Sequence, residues 1–332
     1  MNMTDDKSEK PIIKPLMKVF SKSSARSPQK AAARSPGAEA PKPTTKSATS
    51  VVMSERRHAV VAPPVARPSI RPPVVNALDR RFDELRQQGR KAVMPYLSFG
   101  YPELDSAQSI VPSLAAAGAD VLELGIPFSD PLADGPVIQA SSQRALDNGM
   151  TMQLALAQLR VLNAAHTLPP VVLMTYTNLL LHHGFEAFAA DARAAGASGV
   201  IVPDLPVPET GLLRETLAAQ GIHLIYMVTP NLDDARIAAI AKLARGFIYL
   251  VSVLGVTGVR TEVPDLSALA QQVRRHTDLP LALGFGISTP DQARSAHRYV
   301  DGVIIGSALV RSLQSPGSAA ADAARFLEPF RT

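Results

Sequence analysis

From about residue 76 onward, short runs of apolar, often β-branched residues alternate with Ala-rich stretches whose apolar positions recur every three to four residues. The short runs predict strands over Val93–Phe99, Val121–Gly125, Val171–Thr175, Gly199–Val202, Leu224–Val228, Phe247–Ser252, Leu281–Gly284 and Gly302–Ile305. The periodic stretches between them predict helices, among them Ala107–Ala117, Met152–Ala165, Phe185–Ala195, Glu209–Gln220, Asp233–Ala244, Leu266–Arg275 and Pro290–Arg298. The strands are almost wholly apolar, as expected for parallel strands covered on both faces. Eight such units in about 250 residues match the size of a (β/α)8 TIM barrel. A doubly wound open sheet fits the same count. It would normally carry a Gly-rich phosphate loop after its first strand, whereas here the first strand runs into Ser98-Phe99-Gly100-Tyr101-Pro102.

Residues 1–75 have a different texture. They hold 11 of the 28 prolines and 14 Lys and Arg against 5 Asp and Glu, with no apolar period. Such a segment cannot bury enough surface to offset chain entropy, which predicts a disordered basic tail ahead of a catalytic domain at 76–332. The remainder of the chain carries 20 Lys and Arg against 24 Asp and Glu. The basic net charge therefore belongs to the tail, and a nucleic-acid-binding role for the folded part is not expected. No apolar run approaches the roughly 18 residues of a membrane span, and there is no cysteine. A cytoplasmic protein with neither membrane nor nucleic-acid partners is expected.

In a barrel of this type the chemistry lies at the C-terminal strand ends and in the loops that follow. Strand two and its loop read Val121-Leu122-Glu123-Leu124-Gly125-Ile126-Pro127-Phe128-Ser129-Asp130-Pro131-Leu132-Ala133-Asp134-Gly135-Pro136. Glu123, between two leucines, is either a structural carboxylate paired with an arginine or with backbone amides, or a buried acid/base whose pKa burial raises. Asp134 is either a turn or capping residue or the second carboxylate of a split acid/base pair. Strand seven ends in Gly284-Phe285-Gly286-Ile287-Ser288 and strand eight in Gly306-Ser307. Together they suggest a phosphate cradle of backbone N–H groups. The loop Ser252–Arg260, with Gly255 and Gly258 around Thr257, is either a closing lid or an ordinary long connection.

Two absences narrow the chemistry. After residue 76 there are two lysines, Lys91 before strand one and Lys242, which the helical pattern puts mid-helix. Neither lies at a strand's C-terminal end, which argues against a Schiff-base aldolase. The histidines are scattered, apart from the adjacent pair His182 and His183, which argues against a metal-dependent one. Carboxylate acid/base chemistry on a phosphorylated small molecule remains.

The stretch Leu122–Pro136 closely resembles the principal signature of the tryptophan synthase α-subunit family. Supporting segments are Pro95–Pro102, Leu173–Asn178, Val202–Pro206, Gly255–Gly258, Gly284–Ser288 and Gly306–Ala308. The resemblance spans roughly residues 78–315. It implies that Glu123 is the general acid/base of the cleavage of indole-3-glycerol phosphate, and that Asp134 hydrogen-bonds the indole N–H. It implies that Tyr96, Ile138, Met174 and Tyr176 form the indole pocket and that Tyr249 lies near Glu123. Thr257 would be the lid residue that meets the Asp134 loop. Gly258, Phe285, Gly286, Gly306 and Ser307 would hold the phosphate end. Asp130, Pro131 and Asp204 would face a β subunit in an αββα heterotetramer. No cofactor is expected on this chain, pyridoxal phosphate being carried by the β partner. The pattern departs from the family at Asn178-Leu179, where Asn-Pro is common.

Overall fold

The computed structural model describes residues 75–251, 266–284, 286–313 and 317–331. The expected basic tail, the loop carrying Thr257 and Gly258, and Phe285 lie outside them.

The chain runs α1 (Ala77–Gln87), β1 (Ala92–Ser98), α2 (Ala107–Ala116), β2 (Leu122–Gly125), α3 (Pro136–Asp147), α4 (Met152–Ala165), β3 (Val171–Met174), α5 (Thr177–His183), α6 (Phe185–Ala195), β4 (Ala197–Ile201), α7 (Gly211–Ala219), β5 (His223–Val228), α8 (Asp234–Leu243), β6 (Ile248–Val251), α9 (Ser267–Arg274), β7 (Leu281–Gly284), α10 (Pro290–Ala296), β8 (Gly302–Ile305), α11 (Ser307–Ser312) and α12 (Ala319–Leu327). The eight strands pair in parallel and in chain order, and β8 closes onto β1 with Ala92 opposite Gly302 and Pro95 opposite Ile305. The barrel is therefore closed, which removes the open-sheet alternative.

Alternation along each strand sorts the side chains into two cores. Val93, Leu97, Leu122, Leu124, Leu173, Val200, Leu250, Leu283 and Val303 face the surrounding helices. Met94, Tyr96, Val172, Met174, Ile201, Ile225, Phe247, Tyr249, Ala282 and Ile304 fill the interior. Both faces are dry, which is why the strands read as unbroken apolar runs. Glu123 occupies an inward position of β2, level with Tyr96 on β1 and Val172 on β3.

Helix α1 plugs the N-terminal end of the barrel. Leu78, Phe82 and Leu85 join the interior cluster, and the Phe82 ring lies 5.6 Å from that of Phe247. Asn76 caps this helix by accepting from the Leu78 and Asp79 N–H groups. Its own amide donates to the Ser198 and Gly221 carbonyls at 2.7 and 3.1 Å, fastening the helix to the bases of β4 and β5. At the same end Asp120, fully buried, accepts from the Val93 N–H and pairs with Arg81 at 2.6 Å.

Two sequence expectations shift. The helix expected over Glu209–Gln220 begins at Gly211, because Pro206 and Pro208 confine the preceding residues to a short 3-10 turn at Val207–Glu209. Lys242 lies in the last turn of α8 rather than mid-helix, still away from any strand's C-terminal end.

Phe82→Ala would empty the plug. We expect a loss of about 3–5 kcal/mol in urea unfolding; a loss under about 1 kcal/mol would show that α1 is not part of the core.

Candidate active site

The residues at the C-terminal mouth of the barrel enclose a cavity of about 60 Å3. Glu123 and Asp134 share it with Tyr96, Ile138, Met174 and Tyr249 on one side and with Gly286, Gly306 and Ser307 on the other. Two widely separated stretches, the strand-two loop and the glycine turns after strands seven and eight, thus meet in one chamber. Gly135, Ile287, Ser288, Ile304 and Arg311 complete its wall.

Glu123 is 1% exposed and forms no ion pair with a described residue; its Oε2 is buried without a hydrogen-bond partner among them. Among the described residues neither an arginine nor a backbone amide pairs with it, so the structural alternative has no support there. Burial, and secondarily the negative charge of Asp134, push its pKa from 4.5 to about 8. Asp134 is 5% exposed, so the loop places it inside rather than in solvent. The turn from Pro131 to Asp134 closes through a 3.0 Å backbone hydrogen bond, and Gln139 of α3 donates to the Asp134 carbonyl at 2.9 Å. Burial raises the Asp134 carboxyl to about 6. The Tyr176 hydroxyl nearby restrains that rise, although the pair falls short of well-formed hydrogen-bond geometry. Near neutral pH one carboxyl is then mostly protonated and its neighbour mostly ionised.

Two glycines make room for the aromatic walls. A Cβ at Gly125 would strike the Tyr96 hydroxyl, and one at Gly284 would overlap the ring and hydroxyl of Tyr249. The two phenols therefore lie across the ends of β2 and β7 and share the cavity with Glu123. Both are buried; burial first, then the neighbouring carboxylates, hold their pKa values well above 10.

Most of the residues singled out from sequence converge here, with differences. Tyr176 does not line the cavity: its ring stacks 5.2 Å from Phe128, and it stands behind Asp134 as a support. Asp130 is exposed, and its carboxylate accepts from Ser129 at 2.5 Å. Pro131 is half-buried and the adjoining Leu132 is 86% exposed. Asp204 is exposed and accepts from both the N–H and the hydroxyl of Thr177 at 2.9 Å. Arg311 went unnoticed in the sequence. It sits one helical turn after Ser307, the one cation on the cavity wall among the described residues, and forms no hydrogen bond or ion pair with any of them. The i to i+4 spacing was the available signal. Among the described residues no three His, Cys, Asp or Glu side chains gather as metal ligands, and no helix is long and apolar enough to cross a membrane.

The family model for the tryptophan synthase alpha chain matches residues 82–330. The chain belongs to the tryptophan synthase α-chain family. A family member from Roseiflexus castenholzii is 47% identical over 253 residues, covering 75% of this chain and 97% of that one. The crystal structure of tryptophan synthase subunit alpha from Legionella pneumophila superposes with a TM-score of 0.72 at 34% identity, covering 77% of this chain and 97% of that one. A chain from the tryptophan synthase complex of Pyrococcus furiosus superposes with a TM-score of 0.67, also at 34% identity, over 72% and 97% of the two chains. The matched region coincides with the barrel and begins inside α1, so the likeness to tryptophan synthase α chains covers every strand and the whole cavity.

The raised Glu123 pKa has a consequence for stability. The fold favours the protonated acid, so its stability contribution is complete below about pH 4.5 and is lost as pH rises through 8. Glu123→Gln, permanently neutral, should match the native protein in urea unfolding near pH 5. It should exceed it near pH 9 by a few kcal/mol, because each tenfold change in proton affinity between the folded and unfolded chain is worth about 1.4 kcal/mol. Parallel stability-versus-pH curves would overturn the assignment of a desolvated, unpaired carboxyl.

Proposed function

We propose that this chain catalyses the retro-aldol cleavage of indole-3-glycerol phosphate to indole and D-glyceraldehyde 3-phosphate, the α reaction of tryptophan synthase. The observation that carries this reading is a buried carboxyl at the mouth of β2, without an ion pair among the described residues, sharing a cavity with a second carboxyl and with the glycine turns after β7 and β8.

The ring needs a proton at the carbon that bears the side chain, and Glu123 is the acid that holds one near neutral pH. Protonation leaves positive charge on the ring nitrogen. Asp134, ionised in the same cavity, is suited to accept the ring N–H and stabilise that charge. The resulting Glu123 carboxylate takes the proton from the hydroxyl on the adjacent side-chain carbon. That oxygen becomes the aldehyde oxygen, the carbon–carbon bond breaks, and its electron pair restores the ring. The proton given and the proton taken balance, and the protonated ring serves as the electron sink. The chemistry therefore calls for no cofactor on this chain. Tyr96, Ile138 and Met174 supply apolar wall for the ring.

The phosphate end is assigned to Gly286, Gly306 and Ser307, where glycine lets the backbone approach and the N–H groups at the start of α11 are suited to meet an anion. Arg311 lines the same cavity and adds a full positive charge that the backbone lacks. Asp130, Pro131, exposed Leu132 and Asp204 lie in the loops after β2 and β4, and are proposed as part of the surface that meets a β subunit. That subunit would carry pyridoxal phosphate, receive the indole and complete an αββα assembly, as the family resemblance implies.

Indole release from indole-3-glycerol phosphate, measured with and without a β subunit, tests the reading. Glu123→Gln should lower kcat by about a hundredfold or more. Asp134→Asn should also be severe; either variant retaining most of its turnover would remove the proposed mechanism. Arg311→Leu should raise KM roughly tenfold with kcat little changed, as expected for lost ground-state and transition-state binding alike. An unchanged KM would take Arg311 out of the phosphate site.

A further inference from the structure

A hollow of about 430 Å3 lies on the outer surface of the barrel, between α9 and the turn that links α10 to β8. Gln271, Arg274 and Arg275 line it from α9 and its C-cap, and Arg298 and Tyr299 line it from the turn. Among the described residues no acidic side chain lies on its wall. That is an exception to its surroundings, because residues 76–332 hold 20 Lys and Arg against 24 Asp and Glu. In a mildly acidic domain, three arginines converge on one concave patch. Tyr299 is 40% exposed and is the one aromatic among the large exposed apolar side chains described. The Arg298 guanidinium lies 5.8 Å from the centre of its ring, within cation–π range.

Each guanidinium is held by one or two of its N–H groups. Arg274 donates to the Leu279 carbonyl at 2.5 Å and pairs with Asp301. Arg275 pairs with Asp234 at 2.8 Å, and the Arg298 Nε donates to the Ser295 carbonyl at 3.3 Å. A guanidinium has five N–H donors, so these contacts position each head and leave it donors for an oxyanion. Arginine heads ordered in advance lose less entropy when an anion arrives. Arg298 forms no ion pair with a described residue and keeps its full charge for a ligand. The volume of the hollow falls in the range of small-molecule sites, about 300–1,000 Å3. We propose that it binds a nucleoside di- or triphosphate, with the phosphates on Arg274, Arg275 and Arg298 and the base against Tyr299. Three guanidiniums suit a chain of phosphates better than a single one. The Gln271 amide supplies both a donor and an acceptor for a base edge. No described residue lines both this hollow and the catalytic cavity, so the site stands apart from the proposed reaction.

Calorimetric titration of the full-length protein tests the site, with ADP as the probe and pyrophosphate and adenosine as its two halves. ADP should bind saturably. Pyrophosphate should bind about tenfold more weakly, the difference being the stacked base, and uncharged adenosine should give no measurable binding over the same range. Arg298→Gln should weaken ADP about tenfold or more, as expected for a lost charge-assisted contact, and should leave indole release from indole-3-glycerol phosphate unchanged. Tyr299→Leu should remove the advantage of ADP over pyrophosphate. Both side chains are exposed, so neither variant disturbs the core. The chain has two other places for an anion, the basic segment at 1–75 and the catalytic cavity, and the variants separate them. ADP binding that is the same in Arg298→Gln and Tyr299→Leu as in the native protein would overturn the proposal. Binding lost in Arg311→Leu but kept in Arg298→Gln would put the nucleotide in the catalytic cavity and overturn it as well. So would the absence of saturation at millimolar ADP, or equal affinity for ADP and pyrophosphate in the native protein.

Discussion

One unpaired carboxyl group organises this molecule. Glu123 sits on the inner face of a closed barrel, where an ionised carboxylate is costly, and forms no ion pair with any described residue. Had a basic partner been packed against it, the group would have been pulled into the ordinary acidic range and lost for proton transfer near neutral pH. The barrel can impose this because parallel strands are pinned on both sides: β1 and β3 flank β2 in fixed register, and the residues of β2 cannot retreat toward water.

The opposite end of the barrel shows the other fate of a buried carboxylate. Asp301 is also buried in part, which by itself would raise its pKa. The Leu281 N–H, Arg274 and Lys91 more than offset that, and it lies below the usual value. Asp120 is likewise met by Arg81 and the Val93 N–H. The N-terminal face thus uses its charges to hold strand ends together, while the C-terminal face leaves Glu123 unmatched among the described residues. This division is the one expected of a barrel that keeps stability and chemistry at opposite ends.

Around Glu123 the packing is specific rather than merely apolar. Gly125 and Gly284 exist as gaps in their strands for the two phenols, so that aromatic walls can lie flat across the barrel mouth. Tyr176 and Phe128 brace the Asp134 loop from behind, and Gln139 ties it to α3. Ser141 of the same helix lies 2.9 Å from the hydroxyl of Ser98, which in turn lies 3.1 Å from that of Tyr96. Helix α3 thus helps to hold both the second carboxyl and, through Ser141 and Ser98, the Tyr96 side chain.

The local pattern determined a great deal. Apolar runs without alternation mark parallel strands covered on both sides. Their spacing sets the helices between them, and Leu281–Gly284 and Gly302–Ile305 coincide with observed strands, while the ends of the others move by one or two residues. Glu123, Asp134, Gly286, Gly306 and Ser307 were legible because a carboxylate inside an apolar run and glycines at strand ends are exceptions to the pattern around them. What only tertiary structure decided is everything that depends on which residues meet: Arg311 on the cavity wall, Tyr176 behind it, and α1 as the barrel's plug. The contact of Tyr96 and Ser98 with Ser141 is of the same kind. It depends on β1 and α3 being brought together, and no periodicity along the chain encodes which of several hydroxyls will meet.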